Sequence, residues 1–426
     1  MGAQSIKTRR YYSMLFYAAI LGMVSGIVTF LFIEVVHIGQ QLVWEKFAPS
    51  TGLSPPVFTL VICLTGGLVV GVLLQLLGDY SAIFAEIMAE FAKTGRIDYH
   101  HAISLVVVGF PSLIFGGSLG PEAPLADATG GMGTWLAEKL KCNDQERRSL
   151  TFSGISAMLG AFITSPFAGE ILSLESSQEK TDYTWMMIPG LLASSTATVA
   201  FVMLSSGSYF GNLYTFPGYL PSYVDLIWAA PLGMLGGLIG VLFIVILYGL
   251  KKILKPLETH LVIRAVLGGL GLGLAGALLP ITLFSGETQT QELITNGAEA
   301  GVLILLALAL VKVFLTSLCL TTGWKGGYIF PTMFAGAALG MAVHNLFPSI
   351  PLAVAASATM AGAMVAVMKA PLFSALFAML IFQKEEGPVI AIATVFSFMS
   401  TMSFSILQKP KKIADEDSQT VHQEHL

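Results

Sequence analysis

The sequence predicts an all-α integral membrane protein, a multi-helix bundle of two inverted-topology repeats with broken, re-entrant helices. Three observations carry that prediction. Of 426 residues, 54% are hydrophobic and 11% charged, with a mean hydropathy of +0.76, which leaves too little polar surface to wet a globule. Apolar runs reach the roughly 20 residues that a helix needs to cross a bilayer, whereas a membrane barrel would show short alternating segments. Two stretches rich in Gly and Pro recur in the same order in the two halves, as repeats in transporters do.

Taken in order, residues 1–10 hold Lys7, Arg9 and Arg10 ahead of the first apolar run, YYSMLFYAAILGMVSGIVTFLFIEVV (11–36). That run is too long for a removable signal peptide and lacks a small-residue cleavage site. Residues 11–205 form the first membrane repeat, closing with WMMIPGLLASSTATVAFVML (185–204). Residues 206–222 carry no charge until the segment has passed and read as an extracytoplasmic linker. The second repeat, 223–408, opens with VDLIWAAPLGMLGGLIGVLFIVILYGL (224–250). In the loop that follows, 251–264, Lys251, Lys252, Lys255 and Arg264 face Glu258 alone. Cations favour the cytoplasmic side, so this loop is placed inside. Both termini are placed there too, because Lys409, Lys411 and Lys412 follow the last span. The expected location is a cell's inner (plasma) membrane, and the tail 409–426, polar and acidic over 414–426, is expected to be disordered.

The repeat carries the chemistry. SAMLGAFITSPFAGEILSL (156–174) has a partner in SATMAGAMVAVMKAPLFSALFAML (357–380), each a small-residue helix stopped at a Ser-Pro or Ala-Pro step. Upstream lie GGSLGPEAP (116–124) and GGYIFP (326–331), and Pro124 to Pro166 spans 42 residues where Pro331 to Pro371 spans 40. Each cluster breaks a helix inside the membrane and starts another, an arrangement tolerated at that depth only against protein or a watery cavity. A helix that begins there points unpaired N–H groups and a positive dipole end at the cavity, which suits an anion.

Through these stretches the chain resembles the chloride channel and transporter (CLC) family, most of all its bacterial ion-transport subgroup. GPEAP (120–124) resembles the family's Gly-x-Glu-Gly-Pro element and GGYIFP its Gly-x-Phe-x-Pro element. Residues 146–175 and 311–340, the latter with an intramembrane Lys312, resemble the neighbouring helices of the two halves. The resemblance implies a homodimer with one anion pathway per subunit, carrying chloride or another halide as a channel or an anion/proton exchanger. Glu122 matches the gating glutamate, whose carboxylate competes with the anion and in exchangers carries the proton. Ser81 matches a serine of the inner filter, and the backbone amides of Glu122, Ala123, Ile329 and Phe330 would line the anion sites. Asp127 and Glu175 are the candidates for a proton path.

Departures from the family pattern are equally specific. Pro121 removes one N–H from the outer site, and Ile329 stands where phenylalanine is usual, with Phe330 next. SILQKPKKIADED (405–417) offers no tyrosine for the central anion, and Ser176 replaces the second of two adjacent acids. Such a filter could suit fluoride, nitrate or another solute, and a non-transporting membrane scaffold is the alternative outside transport. Plainer roles exist for single residues: Glu122 capping a helix, Glu170 packing at a subunit contact, Lys312 and Lys369 as structural cations, His100 and His101 in a solvated loop. Gly116-x-Ser118-x-Gly120 matches a nucleophile elbow in letters only, since no histidine partner or soluble strand-turn-helix accompanies it. No enzyme activity, cofactor, metal site or nucleic-acid partner is expected. The lipid bilayer, a small anion, protons and a second copy of the chain are the expected partners.

Overall fold

The computed structural model describes residues 2–81, 83–176, 183–205, 213–216, 219–297 and 300–404. The expected tail, residues 405–417 and most of the expected linker lie outside them. The first half holds α1 (Gly2–Gln40), α2 (Ala48–Ser50), α3 (Pro55–Leu77), α4 (Phe84–Thr94), α5 (Tyr99–Ile114), α6 (Glu122–Lys139), α7 (Asp144–Ile163), α8 (Ala168–Ser176) and α9 (Tyr183–Leu204). The second holds α10 (Tyr223–Ile253), α11 (Leu261–Leu278), α12 (Glu287–Asn296), α13 (Val302–Thr322), α14 (Ile329–Leu346), α15 (Leu352–Met368), α16 (Pro371–Ile381) and α17 (Gly387–Thr401). Local sequence sets the helix ends. Asn143 and Glu146 close a capping box at α7, Ser222 and Asp225 another at α10, each satisfying two amides that the helix leaves unpaired.

Apart from α2, the helices correspond in order, α1 with α10, α3 with α11, and so on to α9 with α17. Packing repeats with them: α7 lies on α9 and α15 on α17, α1 crosses α9 and α10 crosses α17, and α3 against α11 joins the halves. Corresponding small residues let the crossings close up. A Cβ on Gly26 would strike the Ala197 carbonyl, and one on Gly233 the Ala393 carbonyl, the close approach that membrane helices use in place of a hydrophobic drive. Backbone kinks are duplicated as well, with φ of 53° at Thr164 and 57° at Lys369, where α7 and α15 stop.

The halves run in opposite senses. Arg10 lies 4.0 Å from Glu146 at the start of α7. From there α1 climbs about 40 Å to His37 at 1.5 Å per residue, more than the hydrocarbon core of a bilayer. Chain that returns through α3 reaches Asp79, which pairs with Arg264 at the start of α11. Lys251, at the end of α10, pairs with Glu86 at 3.2 Å in the same region. So α10 ends near the face where α1 begins. Seven helices among the described residues are long and apolar enough to span a membrane, and large apolar side chains such as Phe16, Leu76, Ile227 and Leu303 stand exposed on their outer faces.

Candidate functional site

Two short irregular segments cross between the halves. Gly116 turns with φ 89° after α5, and its carbonyl accepts from the Phe284 amide at 3.3 Å; the Ser118 hydroxyl lies 3.2 Å from that of Thr316. Opposite, Gly323 turns with φ 94°, the Trp324 indole donates to the Ala265 carbonyl at 3.0 Å, and the Lys325 amide donates to the Ser112 hydroxyl at 3.0 Å. Held this way, the segments pair antiparallel. Gly120 N donates to Gly327 O at 2.9 Å and Gly327 N to Gly120 O at 2.6 Å.

Directly beyond this bridge start α6 at Glu122 and α14 at Ile329, helices of 18 residues each. Each has proline as its third residue, Pro124 and Pro331, where the missing N–H costs least. Their first-turn amides have no acceptor within their own helix, so two positive helix ends converge. The Glu122 carboxylate occupies the junction, 1% exposed. Its Oε1 accepts from the Ile329 amide at 2.9 Å, while Oε2 is buried without a partner among the described residues. Bare glycines make the room: a Cβ on Gly120 or on Gly327 would run into the Glu122 carboxyl group. Ala123 and Phe330 flank the same point, both buried, and the Phe330 ring stands edge-on to Phe162 and Phe377.

Cavities approach the junction from both sides. One of about 660 Å³ is walled by α4 (Phe84, Ala85, Met88), by Glu175, by Met368 and Lys369, and by Tyr328. Lys93 and Arg148, near the α7 end that Arg10 meets, line it too. Tyr328 is fully buried, and its hydroxyl lacks a well-formed hydrogen bond among the described residues. The other cavity, about 50 Å³, lies toward the far end of α1, lined by Ile33, His37, Gln40, Leu119, Pro121, Ser285 and Glu287. One cavity thus stops one residue before Ile329 and the other one residue before Glu122. The Glu122–Ile329 hydrogen bond stands between them.

Other residues singled out in the sequence lie elsewhere. Ser81 is exposed, donates to Glu86, and lines a separate cavity of about 350 Å³ with Asp79, Lys251, Arg264 and Lys325; the structure does not bring it to Glu122. Asp127 is buried, with Oδ2 unpartnered among the described residues, but five residues along α6 turn it about 140° away from Glu122. The Glu175 carboxylate accepts from the Leu372 and Phe373 amides, capping α16 of the other half. Glu170 takes the Ser156 hydroxyl at 3.2 Å. Lys312 is fully buried and gives its three protons to the carbonyls of Thr282, Leu283 and Phe284 at 2.7–3.1 Å. Lys369 donates to Thr401, and His100 and His101 pair with Asp98.

Three features escaped the sequence reading. Asp79 receives both Lys325 and Arg264, anchoring the residue just ahead of Gly326 and Gly327. Burial alone would raise the Asp79 carboxyl, but these two cations hold it below the usual carboxylate range. Tyr328 was hidden inside a motif read for its backbone, and Glu287 had no motif at all.

The family profile described as "Voltage gated chloride channel" matches residues 66–402. YfeO of Escherichia coli, named as an ion-transport protein, is 22% identical over 83% of this chain and 84% of its own. Chloride channel protein CLC-f of Arabidopsis thaliana is 28% identical over 77% of this chain and 44% of that longer protein. Among solved structures, a slow cyanobacterial Cl−/H+ antiporter aligns with TM-score 0.79 at 21% identity, covering 92% of this chain and 94% of that one. A CLC-type fluoride/proton antiporter aligns with TM-score 0.78 at 20% identity, covering 93% and 96%.

Proposed function

This chain belongs to the voltage-gated chloride channel (CLC) family, whose members are channels and transporters rather than enzymes, and we propose that it passes a halide-sized anion through the Glu122 junction, with that carboxylate as gate. The observation that carries this reading is the Glu122–Ile329 hydrogen bond interposed between two opposed cavities. With the carboxylate in place, the two helix ends hold a negative charge of the protein's own. Once it is protonated and swung out, the same amides can take a permeating anion.

Arriving from the Lys93 and Arg148 mouth, the anion meets three cations, Lys93, Arg148 and Lys369, and a Glu175 whose charge is already spent on α16. Such a funnel concentrates anions. At its end the Tyr328 hydroxyl and the first amides of α4 offer donors, taking the part for which the sequence showed no tyrosine. The positive-inside rule supports this face as cytoplasmic. The bond from Lys369 to Thr401 holds the end of α17 near that face, which supports the reading that both termini are cytoplasmic in a plasma-membrane protein. Of the proton-path candidates, Asp127 is the stronger, since its Oδ2 is uncommitted whereas Glu175 caps a helix. Two subunits, each with its own pathway, form the working assembly in this reading.

Ion-selective flux from liposomes holding the purified protein tests it, with chloride, fluoride, bromide and nitrate in turn and with or without a proton gradient. Saturable flux of at least one of these anions is expected. Vesicles that release none of them, or that move a cation indifferent to the anion present, would remove the reading.

A further inference from the structure

Resting on that gate, we infer that Glu287 is the proton-exchanging group of the outer cavity, relaying protons between the far face of the membrane and Glu122. Its position is fixed from both sides. Gly286, with φ 95°, sets the start of α12 against Phe334 and Lys312, where any side chain would be crowded. The Glu287 amide donates to the Ser285 hydroxyl at 3.3 Å, and the Tyr214 hydroxyl donates to the Glu287 carbonyl at 3.2 Å. Backbone contacts therefore hold the residue, while its carboxylate makes no hydrogen bond or ion pair among the described residues.

Glu287 lines the outer cavity together with Pro121, the neighbour of Glu122. The cavity, at about 50 Å³, has room for at least one water. Among the described residues Glu122 pairs with no cation and keeps Oε2 unpartnered, and Glu287 shares the cavity wall with the residue that precedes it. Other charged or titratable groups at the spot are His37 on α1, the Tyr214 phenol, and Lys312 on α13, whose protons are committed to three carbonyls.

The step is a balanced proton transfer. Glu287 gives its proton to a cavity water, which passes one to Glu122 Oε2; Glu287 then regains one from water at the His37 mouth, and the reverse sequence discharges Glu122. An ionised Glu287 at the mouth also repels entering anions, so protonation admits the anion and loads the gate together.

The test uses full-length protein in vesicles of one orientation, with anion flux followed while pH is lowered on one side at a time from about 7.5 to about 4.5. Glu287→Gln should keep anion flux but slow the response to acid on the far face by roughly tenfold or more, leaving the response from the Arg10 face unchanged. Glu287→Asp should restore it. A wild-type response in Glu287→Gln, or equal loss in the Gln and Asp variants, would overturn the relay while leaving the gate intact. Unchanged acid responses from both faces in Glu122→Gln would instead remove the gate, and the relay with it.

Discussion

Glu122 takes one hydrogen bond from Ile329 where a carboxylate has room for several. Leaving charge at membrane depth costs roughly 2.5–3.5 kcal/mol on insertion scales, and two helix ends return about 1–2 kcal/mol each in partly buried geometry. These terms are close enough that a proton or an anion can tip the balance. Anion occupancy and protonation of Glu122 must then favour each other, by linkage. Gly327→Ala should push the carboxyl group out of its seat, giving anion flux at neutral pH that wild type shows only in acid; flux assays at both pH values check this. Tyr328→Phe keeps the ring stacked on Phe243 and removes only the hydroxyl. Losing one hydrogen bond to a charged ligand costs about 1.5–3 kcal/mol, so anion binding measured by calorimetry should weaken roughly ten- to hundredfold. At this scale Glu122 was legible because an acid between two prolines in an apolar chain has few uses. Tyr328 was not, since its role depends on α4 arriving from a distant part of the sequence.

Among the elements, the corresponding ends of α7 and α15 share a left-handed residue that is not glycine. A left-handed L-residue costs roughly 1–2 kcal/mol. Thr164→Gly should accordingly raise the melting temperature in detergent, by an amount worth about 1 kcal/mol, while Lys369→Gly should gain less because it also gives up two bonds to Thr401. Lys312→Met should be costly, on the order of 3 kcal/mol or more, since three buried carbonyls lose their donor. Thermal melts of the three variants side by side check the ranking. The Ser-Pro and Ala-Pro steps gave away the repeat in the sequence because proline stops helices wherever it falls. Short α4 and α12 gave no such signal, being too brief to register as spans, and the Ser81 assignment placed beside α4 is where the sequence reading and the geometry part.

Taken whole, the molecule is two oppositely directed halves clamped by α3 on α11 and by the Asp79, Lys325 and Arg264 cluster. Asp79 is held below its ordinary range, so its stabilising contribution is complete above the unfolded value of about 3.9 and fades only as pH falls through the lower folded value. The fold should therefore survive mild acid, and Asp79→Asn should melt earlier at neutral pH while losing the final acid-induced drop, as melting curves between about pH 3 and 7 would show. Acid effects on transport above about pH 4 report the gate rather than unfolding. Overall architecture was legible because composition and span length leave a helical bundle as the one solution in lipid; the two cavities were not, because they are spaces between elements and no single stretch encodes them.

The most direct measurement is anion efflux from liposomes carrying wild type or Glu122→Gln, followed from about pH 7.5 to about pH 4.5. Efflux that rises with acid in wild type and is already fast and flat with pH in the variant is the predicted result. A variant that tracks the wild-type curve, or that carries no anion at any pH, contradicts a gate made of this one carboxylate.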